Sequence, residues 1–161
     1  MRRILLLITL VAVFTVPLAL AADTPGDGTL SVKRGRGSVT LKLKGTVIGR
    51  VKNGRVQIRD FRPFDPNDPQ LTCKRLRHNI STGVYTCKGR TIGFRVADGR
   101  FNVNVYGSGI WISAVGRGPV ALDGAGDRGL PDGQFSIDAA AYQSLPDFST
   151  TFFLGTPPTR P

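Results

Sequence analysis

The chain has 161 residues, with 22 Lys+Arg against 11 Asp+Glu and a formal net charge of +11. Every acid is Asp and His78 is the single histidine, which excludes a histidine-rich zinc site and leaves any two-carboxylate mechanism dependent on a pair of aspartates. The two cysteines, Cys73 and Cys87, have neither Cys-x-x-Cys spacing nor histidine partners, so neither a metal nor a cofactor is expected.

Residues 1–21 read as a signal peptide. Arg2-Arg3 forms a charged start, Ile4 to Val16 an apolar run too short to span a bilayer, and Ala19-Leu20-Ala21 a small-x-small cleavage site. Cleavage near Ala21 leaves 20 basic against 11 acidic side chains, a net +9, and no transmembrane segment. The expected destination is secretion or the cell envelope. Residues 22–28 are expected to be flexible and residues 29–155 to form a single all-β domain. Residues 156–161, TPPTRP, are expected to be disordered.

The first unit spans 29–60. Its apolar positions alternate with polar ones, as in Val39, Leu41 and Leu43, and a period of two marks a half-buried strand. Asn53-Gly54 predicts a type I′ hairpin, and Gly45, inside a long alternating run, predicts a bulge or a corner between two sheets. A linker follows at 61–70, where three prolines in ten residues exclude a central strand. Short strands are expected at Leu71–Cys73 and Val84–Cys87, flanking a basic loop from Lys74 to Asn79. A disulfide between Cys73 and Cys87 would close that loop; a secreted chain with an even cysteine count most often pairs them.

The second unit spans 91–123. Asp98-Gly99 predicts a hairpin, and Phe101, Val103 and Val105 alternate with Asn102, Asn104 and Tyr106. Gly37, Val39, Leu41, Leu43 and Gly45 match Gly99, Phe101, Val103, Val105 and Gly107 at one constant offset, the pattern of an internal duplication. After a glycine- and Asp-rich loop from Gly124 to Gly133 come a strand at Phe135–Asp138 and one helical turn at Ala139–Ala141. A last strand, Thr150–Leu154, is expected to place Phe152 and Phe153 in the core. The fold class is all-β: an antiparallel sandwich or barrel built from two related meander units, with a β-solenoid as the alternative.

Charge is concentrated in one half. Residues 31–100 carry 17 basic and 4 acidic side chains, a net +13, whereas residues 101–161 carry 3 and 5. Lys42 and Lys44 alternate with Leu41 and Leu43, and Arg55 and Arg59 flank Val56 and Ile58. All four therefore point away from the core. Together with Lys74, Arg75 and Arg77 they form the expected polyanion-binding surface, contacting an anionic cell-wall polymer, acidic glycan or lipid head groups. Nucleic acid is not the expected partner, because aromatic side chains do not interleave with these cations. A second candidate is a carbohydrate-binding face of Asn102, Asn104, Tyr106 and Trp111, where aromatic plates would stack on sugar C–H faces and amides would bond hydroxyls.

Catalysis has little support. A hydrolase would need His78 with an aspartate, and no activating motif surrounds this residue. Asp123, Asp127 and Asp132 share a turn-forming loop whose spacing matches neither an EF-hand nor a calcium-binding nonapeptide. The expected function is an exported, non-enzymatic binding or structural module; a carbohydrate-binding module and a hydrolase are the alternatives.

The signal peptide, the short β-units and the stretch from Ile112 to Gly124, ISAVGRGPVALDG, resemble small exported all-β proteins of high-GC Gram-positive bacteria, a group with no assigned activity. That resemblance implies export and a β fold and transfers no catalytic residue.

Overall fold

A computed structural model describes residues 26–62, 67–127 and 130–156. The expected signal peptide, residues 22–25, the middle of the proline-rich linker and the end of the tail lie outside the described residues. The fold is all-β and antiparallel, open rather than closed, and sandwich-like. Its strands are β1 (Gly28–Asp60), β2 (Gln70–Thr72), β3 (Leu76–Asn79), β4 (Val84–Val96), β5 (Arg100–Gly124), β6 (Gln134–Ile137), β7 (Gln143–Ser144) and β8 (Thr150–Leu154).

The two units are not meanders of short strands. β1 and β5 are continuous over 33 and 25 residues, and β1 pairs with β5 twice. In one ladder Val39 faces Val105 and Leu43 faces Phe101; in the other Val39 faces Leu122 and Val56 faces Val105. The double pairing splits the hydrogen-bonded surface into two layers. The first runs in the order β3, 84–90 of β4, 54–60 of β1, 100–107 of β5, 37–44 of β1, 117–124 of β5, and β8. The second runs β2, 92–96 of β4, 45–51 of β1, 108–116 of β5, 28–35 of β1, β6 and β7.

Glycines mark the places where β1 and β5 pass from one layer to the other. Gly45 faces Gly116 and Gly54 faces Gly107 across the second ladder. A Cβ on Gly45 would stand 2.1 Å from the Val115 carbonyl oxygen, and one on Gly54 would stand 2.1 Å from that of Tyr106. Only glycine permits backbones to approach so closely at a corner. The expected hairpin at Asn53-Gly54 is therefore absent: β1 runs straight through it. Asp98-Gly99 does not join paired strands either. β4 and β5 lie on opposite sides of β1, and the connection crosses the β1 corner, where the Gly45 N–H donates to the Gly99 carbonyl at 2.9 Å and the Asp98 N–H to Thr46 Oγ1 at 3.1 Å.

The inner faces of both layers meet in one core. Val39, Leu41, Leu43, Phe101, Val103 and Val105 are all buried, as their alternation requires. Smaller expectations are corrected. Part of the basic loop is strand β3, paired with β4 so that Leu76 faces Cys87. Ala139–Ala141 forms no helix. Phe152 packs against the core and against Phe135, but Phe153, its strand neighbour, points the other way and is exposed. Gly26 to Gly28, expected to fray, are tied down: Arg117 pairs with Asp27 at 2.7 Å, and the Thr156 N–H donates to the Gly26 carbonyl at 3.0 Å.

Candidate functional site

The outer side of the first layer brings two sets of expected residues onto one surface. Across the ladders, Arg59 faces Asn102, which faces Lys42; Gln57 faces Asn104, which faces Thr40; Arg55 faces Tyr106, which faces Ser38. Each of these positions alternates with a buried apolar residue, so the side chains share the solvent side. The two stretches of β1 are not paired with each other; β5 inserts Asn102 between Arg59 and Lys42, and Asn104 and Tyr106 between the polar positions that follow. Neighbouring strands lie about 4.8 Å apart, so Arg59 and Lys42 stand roughly 10 Å apart, about one Debye length at 0.1 M salt. Their potentials therefore add.

The same layer extends past Arg55 to Lys88 and past Gln57 to Thr86 and Arg77. There it borders a hollow of about 770 Å³ lined by Arg55, Lys74, Arg75, Arg77, Lys88 and Arg90, with Thr86 and Gly89 and, among the described residues, no carboxylate. The disulfide Cys73–Cys87 fixes this region: Cys87 is fully buried, and Lys74 to Arg77 follow directly from the linked Cys73. Lys88 and Arg90 complete the hollow because β4 turns there from one layer to the other. Arg59 also lies 5.2 Å from the ring centroid of the exposed Phe61, a cation–π contact at the margin of the face.

Trp111 is elsewhere. It belongs to the 108–116 stretch and lies half-buried on the outer side of the second layer, separated from Asn102, Asn104 and Tyr106 by the corner at Gly107. The expected four-residue carbohydrate face is thus divided between two layers.

His78 lies on edge strand β3, with its ring stacked on Tyr85 at 3.8 Å between centroids and 11° between planes. Burial, followed by the charge of Asp68 and a hydrogen bond to it, pushes the Tyr85 phenol above its ordinary pKa. The aspartates after β5 serve the loop itself: Arg36 pairs with Asp127 and approaches Asp132, whose Oδ2 accepts the Gly126 N–H at 2.8 Å. Among the described residues no group of three or more His, Cys, Asp or Glu side chains could hold a metal ion, and no helix is long and apolar enough to cross a membrane.

No protein-family model, curated protein or solved structure matches the chain.

Proposed function

We propose that the protein is an exported, non-enzymatic binding module of the cell envelope or extracellular space that holds an anionic polymer on the outer side of its first layer. The observation that carries this reading is the hollow beside the disulfide, where six cations converge with no carboxylate among the described residues that line it. Cations that converge on paired strands and on the bend that follows the disulfide gain more from a polymer bearing many charges than from isolated ions, because one binding event satisfies several pairs. The disulfide belongs to an oxidising compartment, which agrees with export. Among anionic polymers the arrangement favours an acidic glycan: Asn102 sits between Arg59 and Lys42, and Asn104 beside it between Gln57 and Thr40, where the amides can bond hydroxyls that phosphate-only polymers lack. Retention on an immobilised polyuronate tests the reading. Strong retention that collapses with added salt is expected, and weak or salt-independent retention overturns it.

A further inference from the structure

The outer side of the second layer carries its own arrangement around Trp111. Across the ladders, Gly93 faces Arg50 and Arg50 faces Trp111. The Arg50 guanidinium lies 5.1 Å from the indole centroid. On the other side of Trp111, β1 leaves its ladder between Val32 and Gly35, and Lys33 and Arg34 fall in that irregularity. Arg34 has φ +55°, a left-handed conformation uncommon for a residue other than glycine, and such bulges re-aim side chains. The Lys33 ammonium lies 3.9 Å above the Tyr142 ring, and the Tyr142 hydroxyl shares a hydrogen bond of 2.9 Å with Ser31.

Two hollows meet at Trp111 and Lys33. One, of about 320 Å³, adds Ser31, Ile48, Arg50 and Ser113; the other, of about 430 Å³, adds Arg34, Gln134 and Ser144. Among the described residues no carboxylate lines either hollow, and the cations there make the charge of the depression positive.

We propose that this depression is a second binding site, separate from the cationic face of the first layer, and that it takes an acidic sugar unit. The indole offers an apolar plate for the C–H face of a pyranose ring once the Arg50 guanidinium that lies over it swings aside to the sugar carboxylate. Arg50, Lys33 and Arg34 offer charge-assisted hydrogen bonds to a carboxylate, and the Ser31 and Ser113 hydroxyls partner ring hydroxyls. Trp111 is half-buried and bordered by the Ser31 and Ser113 hydroxyls and the exposed Ile48, and an apolar surface set among hydroxyls and cations suits an acidic ring lying flat.

Trp111 is the single tryptophan, so its emission reports on this site alone. Titration with trigalacturonate should change that emission saturably, and the change should vanish in about 0.5 M NaCl, where the Debye length is roughly 4 Å. Lys33→Gln and Arg50→Gln should each weaken the response roughly tenfold, the loss expected for a charge-assisted hydrogen bond, at wild-type melting temperature. Arg55→Gln with Lys88→Gln should weaken polyuronate retention and leave the emission titration unchanged, which separates failure of this site from failure of the first face. An equal response to uncharged maltotriose, a response to anionic phospholipid vesicles but not to trigalacturonate, or no response at all would overturn the proposal. Should a variant fail to fold, acrylamide quenching of the wild-type chain decides: shielding of Trp111 by trigalacturonate supports the site, and its absence refutes it.

Discussion

Arg59 and Lys42 belong to one strand, yet they flank Asn102 from opposite sides, because β1 passes β5 twice. The density of positive charge on the first layer is therefore a product of topology as well as composition. Neutralising this pair with Arg59→Gln and Lys42→Gln should lower the salt concentration that elutes the protein from a polyuronate column. Both side chains are exposed, so the melting curve should stay within about 0.5 kcal/mol of wild type. Elution unchanged by the double substitution would show that the interleaved rows contribute nothing.

The corners make a prediction about stability. Gly54→Ala places a Cβ 2.1 Å from the Tyr106 carbonyl oxygen at φ +158°, so backbone strain and overpacking add, and the loss should be roughly 2–6 kcal/mol. Gly99→Ala has a similar φ of +157° but open space around the new methyl, so strain alone acts and the loss should be roughly 1–3 kcal/mol. Urea denaturation of the two variants distinguishes these values, and equal losses would refute the close-approach explanation.

The Cys73–Cys87 bond closes a short loop, with a sequence separation of 14, and the chain-entropy model gives roughly 3 kcal/mol for a loop of that size. Replacing both cysteines by serine should lower the urea midpoint accordingly. It should also weaken polyanion binding, because Lys74, Arg75 and Arg77 lose the bond that positions them. A destabilised variant that binds as tightly as wild type would separate the disulfide from the site.

Alkaline pH offers a further check. The Tyr85 phenol is raised in the folded chain, chiefly by burial and then by Asp68, whereas in the unfolded chain it ionises near its ordinary value of about 10. The stability associated with this group is fully present below that value and is lost as pH rises through the folded pKa. Melting temperatures taken upward from pH 9 should therefore fall more steeply for wild type than for Tyr85→Phe. Parallel curves would show that Tyr85 titrates normally.

The inner positions of β1 and β5 are legible because alternation is local: Leu41 and Val103 read as core and are fully buried. The disulfide is legible from cysteine count alone. The path of the chain is not. A glycine in an extended run suits a tight turn or a corner equally well, and at Gly54 the decision rests with the carbonyl of Tyr106, a residue far along the chain. For the same reason the sequence separates the cations of β1 from Asn102 and Asn104, which the register interleaves, and groups Trp111 with residues that lie on another layer. The neighbours of Trp111, namely Arg50 and Lys33, come from two separate stretches of β1, and no local spacing signals them.

The most direct test of the central claim is the affinity for a linear polyuronate measured over a range of salt concentrations. The logarithm of the binding constant should fall linearly with the logarithm of salt, by the counterion-release argument that governs other polyelectrolytes. The slope should shrink by about one unit for each of Arg55, Arg77 and Lys88 replaced by Gln. Binding that ignores salt, or a slope that these replacements leave untouched, would contradict it.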